Sequence, residues 1–178
     1  MLLFMISKKF HFSREDLLRD TGLLKCPKCY RESKFVIALL VGAFIVWLLH
    51  DHIPVFKTQH VFSIGLLFSL VIWQPFIEEI LFRGVIQGQL IKHKWAQQNL
   101  AGITLANVAT SILFVILHLI TVTNAWSLLV IVPSIVFGYM RDNSNSVYPS
   151  IFLHIAYNLF VITGVLFSGN AVVDFGSF

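Results

Sequence analysis

VFSIGLLFSLVIWQPFIEEILFRGVIQGQLI, residues 61–91, is the stretch on which the fold turns. Residues 61–77 are mostly apolar, and the helical pattern then runs on through Glu78, Glu79 and Arg83 to Ile91. As one helix this segment is about 46 Å long at ~1.5 Å per residue, against a hydrocarbon core of about 30 Å. It must therefore tilt, protrude, or be kinked or split, and Pro75 is the expected place for a break. Charged side chains at such depth cost about 2.5–3.5 kcal/mol each even on lenient scales, so they persist where they pair or do chemistry.

The rest of the chain fits a membrane setting. Of 178 residues 57% are hydrophobic and 12% charged, with a mean hydropathy of +0.79; soluble domains average about 45–50% and about 25%. That excludes a secreted disulfide scaffold, a disordered chain and an ordinary cytosolic enzyme. Further apolar runs cover 35–50, 100–120, 126–140 (with Pro133) and 147–167. Together with 61–91 they predict an all-α fold, a polytopic transmembrane helix bundle of about five spans. Residues 1–34 form a basic headpiece carrying a CxxC pair, and 35–178 form the transmembrane domain. Lys8, Lys9, Arg14, Arg19, Lys25, Lys28, Arg31 and Lys34 fall in the headpiece among four acids. With the headpiece inside, Lys92, Lys94 and Arg141 also fall inside and Lys57 outside, so the positive-inside bias predicts a multi-pass integral membrane protein with a cytoplasmic N-terminus. The mixed charges favour anchoring to the bilayer over nucleic acid. Met1–Ile6 precedes Lys8-Lys9, the reverse of a signal-peptide order, so no cleaved signal is expected.

Within the spans after residue 60 the ionisable side chains are Glu78, Glu79, Arg83, His118 and His154. Glu79 and Arg83 stand four apart on one helix face and form an expected ion pair. Glu78 points about 100° away from Glu79, so it is the acid left available. His118 shares a face with Phe114 and Ser111; His154 shares one with Asn158 and Ser150. Taken singly, each residue reads as helix packing or a neutralised pair. Taken together, three helices each turn polar groups to a shared interior, since lipid rejects them all.

Glu78-Glu79-Ile-Leu-Phe-Arg83, Phe114-Val-Ile-Leu-His118 and His154-Ile-Ala-Tyr-Asn158 resemble, in order and spacing, the EExxxR, FxxxH and HxxxN motifs of the CPBP intramembrane proteases (CAAX prenyl protease and bacteriocin-processing, or Abi). The resemblance covers about 61–167 and not the headpiece. It implies an intramembrane endopeptidase hydrolysing a membrane-associated protein or peptide. In that reading Glu78 activates a water, His118 holds it and shuttles its proton, His154 and Asn158 bond the oxyanion, and Glu79–Arg83 supports the site. No cofactor is favoured. The competing version places zinc on Glu78, His118 and His154, three ligands with water as the fourth. A non-catalytic membrane protein of the same fold, an immunity or assembly factor, is the alternative from another class; a transporter is a third, because buried acids and histidines also mark proton paths.

Two further expectations concern position and redox state. Measured from the cytoplasmic helix ends, Glu78 lies about 20 Å deep, His118 about 27 Å and His154 only about 10 Å. Cys26 and Cys29 are accessory thiols, expected to remain reduced on the cytoplasmic face, and Ser13-Arg-Glu-Asp16 reads as a capping box opening a short helix.

Overall fold

The computed structural model describes residues 14–24, 26, 28–49, 52, 60–121, 125–169 and 171–174. Ser13 and the Met1–Lys9 segment lie outside the described residues. Among the described residues the helices are α1 (Arg14–Asp20), α2 (Ser33–Leu49), α3 (Ile64–Leu90), α4 (Leu105–Thr121), α5 (Ile131–Ser144, entered through a 3-10 turn at Ala125–Val130) and α6 (Tyr148–Phe167). The chain is an all-α bundle. α3, α6 and the combined Ala125–Ser144 helix are long and apolar enough to cross a membrane. α2 and α4 are apolar but have 17 residues each, about 26 Å of helix.

α3 does not split at Pro75. It stays helical from Ile64 to Leu90 but passes through two π-helical stretches, Ser69–Trp73 and Ile80–Gln87. Proline lacks an N–H and its ring crowds the carbonyl four residues back. A π turn ahead of it relieves the crowding: the Gln74 N–H bonds to Ser69 O, five residues back. The extra residue in the turn thus replaces the expected break.

The span expected to open at residue 100 opens at Leu105 instead. Residues before it form a small hairpin, β2 (Asn99–Leu100) with β3 (Ile103–Thr104). Its two turn residues, Ala101 and Gly102, both have positive φ (53° and 88°), the mirror-image turn that suits a two-residue hairpin. At the other end of the bundle β1 (His60–Ser63) pairs in parallel with β4 (Ala171–Asp174), tying the start of α3 to the segment after α6.

Phe35, Phe137, Met140 and Leu153 form the buried cluster joining α2, α5 and α6. Gly42 matters here, because the Tyr157 ring lies against its backbone and would collide with any Cβ. The other faces of α2 are open, with Trp47 72% and Leu40 63% exposed, as lipid-facing residues are.

The described headpiece is not a solvated appendage. Val147 N–H donates to Gly22 O (2.9 Å), Ser146 Oγ to Leu24 O (2.7 Å), and Arg141 Nη2 to Asp20 O (3.2 Å). Lys92 pairs with Asp20 at 2.5 Å. Gly84 and Gly88 let the Thr21 and Asp20 carbonyls rest directly on α3, where a Cβ would intrude. Cys26 and Cys29, expected as thiols, form a disulfide with Cα atoms 5.6 Å apart. The headpiece, the Lys92–Lys94 loop and the 141–146 turn therefore share one end of the bundle.

This collar also corrects the depth of His154. Val147 packs at the level of Gly84, inside α3, and not at the helix end near Leu90. From that shared level His154 is seven residues along α6 and Glu79 five along α3, about 10 Å and about 7 Å. α3 simply extends past the start of α6 into the headpiece and hairpin.

Candidate active site

The site forms where the antiparallel α3 and α6 pass each other, with α4 and α5 alongside. Glu79 and Arg83, one turn apart on α3, are fully buried and form an ion pair, Nε to Oε2 at 3.2 Å. The guanidinium also donates from Nη2 to Ser134 Oγ of α5 (2.8 Å) and lies over the Phe114 ring of α4, 5.5 Å from its centroid. One acid is thus neutralised by a guanidinium that is itself held on three sides.

The second Glu79 oxygen reaches α6, where Oε1 stands 3.0 Å from His154 Nδ1. A carboxylate only accepts, so Nδ1 carries a hydrogen and the ring turns Nε2 outward. That Nε2 faces Glu78 Oε2 at 3.8 Å, beyond a direct hydrogen bond. The Glu78 side chain keeps 31% of its exposure. The two neighbouring acids therefore differ as their helix positions require: Glu79 is consumed by partners, and Glu78 is open on the side facing His154.

His118 of α4 completes the ring of polar groups. Its imidazole packs on Phe114 (centroids 4.3 Å), and Phe114 also meets His154 edge-on at 6.1 Å and Phe82 at 4.9 Å. His118 Nδ1 lies 3.1 Å from Phe114 O; a carbonyl only accepts, so Nδ1 carries a hydrogen and Nε2 is turned outward here too. His154, His118, Glu79 and Arg83 all lie within electrostatic reach of Glu78. Glu78, Glu79, Arg83, His118 and His154 thus occupy one neighbourhood.

Asn158 sits differently. Its Nδ2 donates to Leu70 O at 2.8 Å, and the reason lies in Pro75. In the π register of Ser69–Trp73 the Leu70 carbonyl looks to residue 75 for its donor, and proline has none. Asn158 supplies that bond from α6. One of its amide hydrogens is therefore committed to the backbone. Ser111 and Ser150, which share faces with His118 and His154, are turned to Asn107 Oδ1 (3.1 Å) and Phe137 O (2.7 Å).

Two contributors come from α5, which bears none of the motifs. Ser134 accepts from Arg83, and Phe137 stacks on His154 with centroids 4.9 Å apart and planes 21° apart. Their spacing of three residues on a span is a readable signal, but an isolated Ser and Phe in an apolar helix suggest packing alone. Among the described residues, no three His, Cys, Asp or Glu side chains are gathered to hold a metal ion. The Cys26–Cys29 disulfide stands apart, in the collar.

A polytopic helical bundle that buries a carboxylate–histidine cluster between its helices belongs to the class of integral membrane proteins with a polar intramembrane site. Residues 60–160 match the family described as Rce1-like, type II CAAX prenyl endopeptidase Rce1-like, within the CPBP/Abi group, and the chain belongs to that family. No curated protein and no solved structure matches the chain.

Proposed function

We propose that the chain is an intramembrane endopeptidase in which Glu78 activates water, acting on a membrane-embedded protein or peptide. The family's description extends the proposal to a lipid-modified C-terminal segment as substrate class. The observation carrying this reading is the split between adjacent acids: Glu79 is held by Arg83 and His154 Nδ1, while Glu78 is left open across 3.8 Å from His154 Nε2.

A water between those two atoms donates one hydrogen to Glu78 and the other to His154 Nε2, and turns its lone pair to the scissile carbonyl. As the oxygen attacks, its proton passes to Glu78, which then delivers it to the leaving amine. The Glu79 carboxylate behind His154 orients the ring and steadies any positive charge it gains. His118 lines the same space and serves as the second polar contact for the water or the oxyanion. Asn158 contributes its remaining amide hydrogen to the oxyanion while the first anchors α3. The collar end is assigned to the cytoplasm on the positive-inside bias.

Glu78→Gln keeps the shape and removes the base. Expressed in membranes beside the parent protein, it abolishes a cleavage product that quantitative proteomics detects with the parent, and it remains a folded membrane protein. Retained cleavage would reject Glu78 as the base, and an unchanged membrane proteome with the parent protein would reject proteolysis in favour of the non-catalytic reading.

Zinc on Glu78, His118 and His154 is the second reading, and it needs those three side chains to draw closer than they stand among the described residues. The observation in its favour is that both Nδ1 atoms are bonded to acceptors, as in histidines that ligate metal through Nε2. Stoichiometric zinc in the purified protein, with loss of cleavage on chelation and recovery on its return, would select it. The glutamate reading expects cleavage that survives chelation.

A further inference from the structure

Between the headpiece and the bundle lies a cavity of about 270 Å³, away from the Glu78 site and nearer the collar. Its lining includes Arg19 and Asp20 of α1, Gln87 of α3, Lys92 after it, and Arg141 and Asp142 of α5. Three cations and two acids meet there, and the acids are already committed. Asp20 is paired with Lys92 at 2.5 Å, and Asp142 accepts from Thr104 Oγ1 (2.7 Å) and Gln87 Nε2 (2.8 Å).

Arg141 is the exception. It is 7% exposed, its Nη2 makes a long hydrogen bond to Asp20 O at 3.2 Å, and its Nε has no hydrogen-bond partner. A guanidinium has five N–H donors, and a buried donor without an acceptor is costly. The cavity it lines carries one more positive than negative charge and sits at the end of the membrane-crossing helices, where phosphate groups of a bilayer lie. An oxyanion with several acceptor oxygens meets the need of Arg141 and draws on Arg19 from the rim, while Lys92 stays with Asp20.

We propose that this cavity holds a phosphate-type group, the phosphomonoester or phosphodiester of a lipid headgroup or of a free phosphate, with Arg141 as its buried anchor. The group would sit between α1 and the ends of α3 and α5, and so fasten the headpiece to the bundle.

The test uses the full-length protein in a phosphate-free, uncharged detergent. Thermal unfolding is followed with inorganic phosphate in one arm and short-chain phosphatidic acid in another. The proposal expects a saturable rise in midpoint. Stabilisation by both ligands identifies a site that a free phosphate can fill, and stabilisation by phosphatidic acid alone identifies a lipid headgroup. Arg141→Gln weakens the stronger ligand at least tenfold. Because that variant alters a buried residue, Arg19→Ala, at the rim, is expected to weaken it several-fold in a protein of parental fold. Lys94→Ala, which removes the same charge from outside the cavity, leaves the affinity unchanged. No saturable stabilisation by either ligand, or an equal loss from Lys94→Ala and Arg19→Ala, overturns the proposal.

Discussion

The bond from Asn158 to Leu70 O joins the two helices that carry the site, and its purpose can be measured. In the π register the donor to the Leu70 carbonyl falls to Pro75, which has no N–H, and Asn158 Nδ2 bonds to that oxygen instead. Replacing Asn158 by Leu keeps the branched outline of the side chain and strands that carbonyl. An unsatisfied buried acceptor costs about 1–3 kcal/mol, whereas side-chain hydrogen bonds between membrane helices average about 0.6 and reach about 1.7 kcal/mol. A loss of about 1–2 kcal/mol is therefore expected. Pro75→Ala returns a backbone N–H to α3, which satisfies Leu70 O directly or by letting the turn relax to the α register. In that background Asn158→Leu should cost less than half as much, a coupling of about 1 kcal/mol. Reversible unfolding of all four proteins in mixed micelles supplies the cycle. Costs that add within about 0.5 kcal/mol, as for independent sites, would refute the explanation. The same cycle read by cleavage separates the two jobs of the amide: a pure clamp is rescued by Pro75→Ala, whereas an oxyanion donor is not, and its loss persists at about 2.7–4 kcal/mol in the barrier.

Other perturbations follow from the same geometry. Arg83→Met leaves Glu79 buried without its counter-charge and should destabilise the protein by about 3–5 kcal/mol; Glu79→Gln combined with Arg83→Met should recover much of that in the same unfolding assay while cleavage stays impaired, because His154 has lost its carboxylate. Ser134→Val removes the acceptor of Arg83 Nη2 and is expected to cost about 1–3 kcal/mol, checked by midpoint in mixed micelles. Gly88→Val drives a side chain into the Asp20 carbonyl and should undock α1, read as faster limited trypsin cleavage in the headpiece with the bundle intact.

Much of this architecture was legible because the bilayer constrains a sequence heavily. Apolar runs located α2 to α6 within a few residues, and the rarity of charge within them singled out Glu78, Glu79, Arg83, His118 and His154. The division of labour between the two acids followed from helix geometry alone: four residues separate Glu79 from Arg83, and one residue turns Glu78 away. What escaped depended on contacts between segments distant in the chain. That Pro75 would be absorbed by a π turn requires the donor from Asn158, 88 positions away, and no local pattern announces it. Ser134 and Phe137 looked like any residues of an apolar helix until Arg83 and His154 were set against them. The Cys26–Cys29 bond is a choice of redox state, which residue spacing permits without requiring.

The depth of the site shows how one wrong boundary distorts a mechanism. Taking the end of α3 as the membrane surface placed Glu78 about 20 Å deep and His154 about 10 Å, too far apart to share a water. The Gly84 and Gly88 backbone, however, is covered by the Thr21 and Asp20 carbonyls, and Gln87 is bonded to Gly138 O and Asp142 at the end of α5. The last two turns of α3 therefore run inside a protein collar. Counted from the collar, the acids and His154 stand at nearly one level, close enough for a single water to bridge Glu78 and His154.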